Sequence, residues 1–433
     1  MAEEAARDGK RQNKTVEEAA PDNSLSNPDV LTKYKTAAQI GQKVLADIAK
    51  LCTNDANILE LCQKGDQMLQ DEVAKVFKGK KVTKGLSHPC TVSPSAYVTP
   101  YTPLVSETAE ATKTLKAGEP VKIQLGAQID GFGTIVCDTV LVGASPPIVG
   151  RSADLMLATY YANELLLRMM MPPGLLSTGS DEEKRKAQSQ KPYSQSKMTQ
   201  LMKKLVKSFD CNIVENTTCW LFGRNEIEDK KRIILSPTDG AKGEELPEVG
   251  EVWGVEVGVT TGDGKVKIFP ERATLHRRTT TTYGLKRPSS RATLSEIQKK
   301  FGTFPFSLRQ LDDERAGKVG IVECVRGGVV RQYEVAGSAD GEPVGRLFTT
   351  VGITKNGIQR LAAPPAFNLS DYQSDKKITD EEILSILEQP LANPTKTKPK
   401  NKKKKKKSAK KQDTKAEDED DEDESESDDE EDE

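Results

Sequence analysis

A chain of 433 residues with only two histidines, His88 and His276, has little imidazole to spend on metal ligation or general-base work. Its thiols are no better arranged. Seven cysteines, at positions 52, 62, 90, 137, 211, 219 and 324, are odd in number and scattered, with no CxxC pair, so neither a disulfide framework nor a structural zinc site is expected. No GxSxG elbow, GxxxxGK[ST] loop, HExxH helix or GxGxxG turn opening a helix occurs, and Asp138 is a lone acid on a β-rich run. What the sequence concentrates instead is chemistry suited to phosphate. Lys265, Lys267, Arg272, Arg277, Arg278, Lys286, Arg287 and Arg291 share one segment with a single acid, Glu271, and Thr279 to Thr282 with Ser289 and Ser290 add hydroxyl donors. Residue types alone leave two readings of this segment open, a solvated insertion and a phosphate-binding patch. Aromatics are sparse in it, so backbone charge and shape, rather than base stacking, would be its mode on RNA.

A second cationic element lies near the end of the chain. Lys402, Lys403, Lys404, Lys405, Lys406 and Lys407 are consecutive, Lys410 and Lys411 follow, and residues 417–433 contain acids but no base. The formal net charge of -2 therefore hides a basic block followed by an acidic one. Such like-charge runs repel themselves and cannot bury apolar area, so 390–433 is expected to be disordered, as are the polar residues 1–26. Ser425 and Ser427 each precede an acid by three residues and are phosphorylation candidates. No run of about 18 apolar residues is present to span a bilayer, and the charged N-terminus lacks the apolar centre of a signal peptide. A soluble protein without membrane attachment is expected.

The elements that must position these groups read as α+β. Pro120 to Val142 alternates apolar and polar residues around an Asp130-Gly131 turn and predicts a central β-hairpin. Asn27-Pro28 predicts a capped helix with Val30, Tyr34, Ala37, Val44 and Ile48 on one side, and a second helix is expected over 57–77. Further helices are expected over 150–171 and 194–209, with a mobile loop over 175–193. Glu251 to Val266, turning at Gly262-Asp263-Gly264, predicts a second hairpin that echoes the first and suggests an internal duplication. Thr293 to Glu296 and Thr379 to Glu382 match capping boxes. One domain over 27–389 is expected, with a basic insertion over about 265–315.

The Pro120–Val142 hairpin resembles the first metal-bearing hairpin of the methionine aminopeptidase superfamily, whose pita-bread fold has two pseudo-symmetric halves. The resemblance runs over roughly 28–388. It narrows through Tyr283-Gly284-Leu285-Lys286, Arg291 to Glu296, Phe304 to Arg309, Gly320 to Cys324 and the lysine-rich end to the proliferation-associated, curved-DNA-binding subgroup, non-peptidase relatives of type 2 methionine aminopeptidase. Peptidases of the superfamily hold two divalent ions with carboxylates and one imidazole. The resemblance places Gln124 and Ile135 at their two aspartates, Trp220 at the histidine, Glu256 and Phe348 at the two glutamates, and Pro100 at a substrate-side histidine. It therefore implies a protein without cofactor, metal or peptidase activity, in which Glu256 is a residual acid; a weak cation held by Glu256 and the Gln124 amide oxygen is the competing possibility. It leaves His88 and His276 off the ligand positions, as surface or loop residues. It also implies binding to the large ribosomal subunit and its RNA through the basic segment, a role in ribosome assembly, translation or growth control, residence in cytoplasm and nucleus or nucleolus, and a monomer. The alternatives are a DNA-binding, transcription-associated factor and, against the ligand positions, an active metalloaminopeptidase.

Overall fold

Capping chemistry and an apolar stripe set the first helices of the computed structural model, which describes residues 22–243 and 245–393. Helix α1 (Pro28–Leu51) opens where the Asn27 side chain accepts from the Asp29 N–H at 3.0 Å, and α2 (Ile58–Lys75) where Asn57 accepts from the Glu60 N–H. The fold begins before α1, contrary to the expectation for residues 22–26: Leu25 is buried and its N–H donates to the Gly250 carbonyl. Strands β1 (Lys84–Pro94), β2 (Pro120–Ile129) and β3 (Phe132–Leu141) are antiparallel, with β2 and β3 joined by Asp130 and Gly131, both at positive φ. The period of two divides β2 cleanly. Val121, Ile123, Leu125, Ala127 and Ile129 pack beneath α1 and α2, so Lys122, Gln124, Gly126 and Gln128 face the other way.

A second half repeats this plan with different connections. Helices α3 (Gly150–Met169) and α5 (Gln195–Lys207) flank α4 (Asp181–Gln188), which occupies part of the stretch expected to be a loop. Ser180 and Glu183 form a reciprocal capping box that starts α4. Strands β4 (Thr217–Phe222) and β5 (Val252–Thr260) follow, and Trp253, Val255, Val257 and Val259 pack against α3 and α5.

The hairpin expected over 251–266 does not form. At Thr260 the chain leaves the sheet and builds β6 (Leu275–Arg278), α6 (Pro288–Lys300), β7 (Phe306–Ser307), α7 (Glu314–Arg326) and β8 (Val330–Tyr333) before returning as β9 (Val344–Thr354), whose first residue pairs with Thr260. The insertion thus extends well beyond 315, because α7 packs on α6 and β8 completes a β7-β6-β8 sheet. Pro288 at the first turn starts α6, which leaves Thr293 inside the helix rather than at its cap.

The main sheet runs β1-β2-β3-β9-β5-β4, extended by Arg232–Leu235, with β10 (Gly357–Ala362) beside β9. Where the halves meet, β3 and β9 share only the Phe348–Cys137 ladder pair. Hydroxyls replace the missing ladder: Thr350 Oγ1 accepts from Ile135 N at 2.9 Å and donates to Ile135 O at 2.7 Å, and Thr139 Oγ1 does the same to Arg346 N and O at 2.7 Å. Helix α8 (Glu381–Glu388) is capped by Asp380, one residue later than Thr379, and the fold continues past Gln389 to Asn393, whose N–H donates to Asn356.

Candidate functional site

Pairing register brings the sequence-distant family positions to one place. Gln124 lies opposite Cys137 and Gly126 opposite Ile135, so Gln124 and Ile135 project from the same face of the hairpin. Glu256 lies opposite Phe348 on β5 and β9, and Trp220 opposite Gly254 on β4 and β5. All five, together with Pro100, line a single cavity of about 520 Å³. Phe348 and Phe222 close over Gly254, where a Cβ would lie 2.6 and 2.5 Å from their rings.

The cavity also holds a residue that sequence reading missed. Arg346, on β9 two residues before Phe348, is 2% exposed. Its guanidinium donates to Gln124 Oε1 at 2.8 Å and to the Val98 carbonyl at 2.9 Å, and it stands 3.5 Å from Glu256 Oε1. The polar chain continues inward. Gln124 Nε2 meets His88 Nε2 at 3.1 Å, and His88 Nδ1 meets the Pro89 carbonyl at 2.7 Å. Only one protonation pattern pairs both His88 nitrogens and both ends of the Gln124 amide: Nδ1–H donates to Pro89, neutral Nε2 accepts from the Gln124 amide, and the Gln124 oxygen accepts from Arg346. Burial, with Arg346 nearby, pushes the imidazole down to about 4, in keeping with that neutral ring. Burial raises Glu256 above the usual carboxylate range, and Arg346 opposes the shift.

His88 is therefore a buried strand residue and not a surface one. The same correction applies to His276, which is 2% exposed on β6 and stacked against Phe306. Arg346 had left one signal in the sequence. It is the single charged residue in the otherwise uncharged run Val344–Thr354, and a cation within a fully buried strand needs a built partner set.

The basic segment is divided rather than continuous. Arg277 is buried: its guanidinium donates to Glu226, to Glu228 at 3.1 Å and to the Thr303 carbonyl at 2.9 Å, so it cannot face a partner as expected. Arg272 lies 3.3 Å from Glu107, and Glu271, the segment's own acid, bonds Lys113 and Tyr97 instead. Lys267 donates to Ala339 O, while Lys265 shares a groove of about 650 Å³ with Lys203, Lys204 and Lys207, which the sequence reading did not select. Arg278 is half-buried at the end of β6. Lys286, Arg287 and Arg291 are exposed around the start of α6, where Arg291 donates to the Leu285 and Lys286 carbonyls. Lys402–Lys407, Lys410, Lys411, Ser425 and Ser427 lie outside the described residues.

Comparison with known proteins decides the lineage. The model of metallopeptidase family M24 matches residues 32–276. The chain belongs to this family. It is 35% identical over 379 residues to a curved DNA-binding protein of Schizosaccharomyces pombe, covering 86% of this chain and 93% of that one. To proliferation-associated protein A of Dictyostelium discoideum it is 30% identical over 373 residues, covering 85% and 90%. A solved structure described as a thermophilic Arx1 superposes with a TM-score of 0.84 at 63% identity, over 85% of this chain and all of that one. This M24 member has the pita-bread fold, with the two halves meeting at β3 and β9. Among the described residues, no three His, Cys, Asp or Glu side chains gather into a potential metal-holding group, and no helix is long and apolar enough to cross a membrane.

Proposed function

We propose that this M24 protein is a non-catalytic binding protein that engages the large ribosomal subunit through its RNA and serves in ribosome assembly, translation or growth control. The Arg346 contacts carry the non-catalytic half of the reading. Two hard divalent cations need several anionic oxygens, whereas this cavity offers one carboxylate, an amide and three apolar side chains at the superfamily's ligand positions. Arg346 supplies the positive charge beside Glu256 and donates to the Gln124 oxygen, so a guanidinium already stands against both ligands of the competing single-cation site, which argues against that site. The residues present do not fit a metal pair.

Assay of Met-initiated peptides with added cobalt or manganese should give no turnover; activity that disappears in Glu256→Ala would sink the non-catalytic reading. The binding half rests on the exposed cations Lys286, Arg287 and Arg291 and on the lysine-rich end, together with the family resemblance. A second reading, binding to duplex DNA, is favoured by the name of the fission-yeast relative. Affinity for purified large subunits and for duplex DNA at matched salt separates them. Preference for the subunit is expected, and equal or tighter DNA binding would replace that reading.

A further inference from the structure

The loop from Thr279 to Arg287 closes over the C-terminal end of α7. Thr279 Oγ1 donates to the Gly328 carbonyl at 2.6 Å, and the Glu323 carboxylate accepts from the Lys286 and Arg287 N–H groups at 2.8 and 3.0 Å. Between these anchors, Tyr283 lies across Gly327. A Cβ on Gly327 would sit 2.6 Å from Tyr283 Cδ1 and 3.0 Å from Cγ, so the ring rests on bare backbone, an approach that only glycine permits. Yet Tyr283 remains 50% exposed, the only exposed aromatic among the described residues, and no second ring lies against it there. A single exposed apolar side chain means little by itself. Here its backbone seat is fixed, and the exposed groups beside it are hydroxyls and cations, with the Glu323 carboxylate held by the loop's own backbone N–H groups. Exposed Thr280, Thr281 and Thr282 precede it, exposed Lys286 and Arg287 follow, and Arg326 adjoins its glycine seat. None of these three cations is ion-paired among the described residues.

We propose that Tyr283 is a stacking platform for an unpaired RNA base, with Lys286, Arg287 and Arg326 taking the flanking phosphates. The inference rests on the RNA-binding reading above and departs from the expectation that this segment works without stacking. A proline-rich peptide also stacks on tyrosine, but it docks in grooves lined by several aromatics. This ring stands alone among cations and hydroxyls, which suit a phosphodiester chain.

The test uses the full chain and two RNAs of equal length, a hairpin with an unpaired loop and a blunt duplex, titrated at several salt concentrations. Tyr283→Ala should lose about 5- to 100-fold in affinity for the loop RNA, with Tyr283→Phe close to wild type, duplex binding unchanged and the salt dependence intact. Replacing Lys286 and Arg287 together by Gln should weaken both RNAs and flatten the salt dependence. Wild-type loop binding by Tyr283→Ala, alongside a loss in the charge variant, overturns stacking and leaves the RNA reading standing. Failure of both variants to weaken binding overturns both. A loss in Tyr283→Phe equal to that in Tyr283→Ala, or binding of a proline-rich peptide that Tyr283→Ala abolishes while leaving RNA affinity unchanged, also overturns the platform.

Discussion

Arg346 decides the chemistry of the cavity because one planar cation there satisfies an amide oxygen, a backbone carbonyl and a carboxylate at once. Removing it should strand all three. Arg346→Ala is expected to destabilise the fold by about 3 kcal/mol, the lower end for breaking a buried pair because Glu256 keeps some contact with water, read as a reduced urea midpoint. Arg346→Lys should recover only part of this, since an ammonium cannot reproduce the guanidinium fork. The same polar chain makes His88 a pH sensor of stability. Its folded value lies near 4 against 6.5 when free, so between these values the unfolded chain binds the extra proton, and stability falls as pH is lowered through that window. Asp138, raised by burial to about 7, works in the opposite sense over an overlapping range, so a difference measurement is required. The stability gap between wild type and His88→Gln should shift by an amount on the order of 3 kcal/mol in favour of the variant from pH 7 to pH 4. A constant gap would mean that the ring titrates normally. The cavity residues Gln124, Ile135, Trp220 and Phe348 were legible because the family resemblance names them one by one. Arg346 and His88 were not, because their meeting through Gln124 depends on β1, β2, β3 and β9 following one another in the sheet, which no local pattern encodes.

At the scale of elements, the helices of both halves and the first hairpin were readable and the second hairpin was not, for a physical reason. The Pro120–Val142 hairpin joins sequence neighbours through a two-residue turn whose type is written in Asp130-Gly131. The strand Val252–Thr260 has the same alternation but takes Val344–Thr354 as partner after a long excursion, so proximity in sequence selected the wrong mate. The insertion is tied back to the body by the cluster of Arg277, Arg331, Tyr333, Glu226 and Glu228, in which Tyr333 donates to Glu228 at 2.9 Å. This fastening separates two arginines that are adjacent in the sequence. Arg277→Glu would bury a third carboxylate among two and should cost about 3–5 kcal/mol. Arg278→Glu should stay within about 0.5–1 kcal/mol. Thermal unfolding of the two variants side by side checks this, and similar melting temperatures would mean that the fastening contributes little.

Over the whole molecule, the proposed RNA binding is expected to follow how charge is partitioned between the folded body and a strongly segregated end sequence. Bases and acids nearly balance over residues 1–393, so long-range attraction for a polyanion is expected to come largely from Lys402–Lys407, Lys410 and Lys411. If six to eight of these lysines neutralise phosphates, log affinity should fall with log salt at a slope of about -5 to -7, taking about -0.9 per contact. The acids of 417–433 follow the lysines on the same chain and are expected to compete with phosphate for them at high effective concentration. Phosphorylation of Ser425 and Ser427 would add roughly -1.5 to -2 charges at each site and strengthen that competition. Deleting 417–433 is therefore expected to tighten RNA binding at low ionic strength, and deleting 395–433 to weaken it and flatten its salt dependence. Because competition between charges is screened within about 10 Å at 0.1 M salt, the advantage of the shorter deletion should fade as salt rises. Equal affinity of the intact and 417-truncated chains at low salt would remove the acidic block from the binding equilibrium and leave it a role in solubility or partner binding.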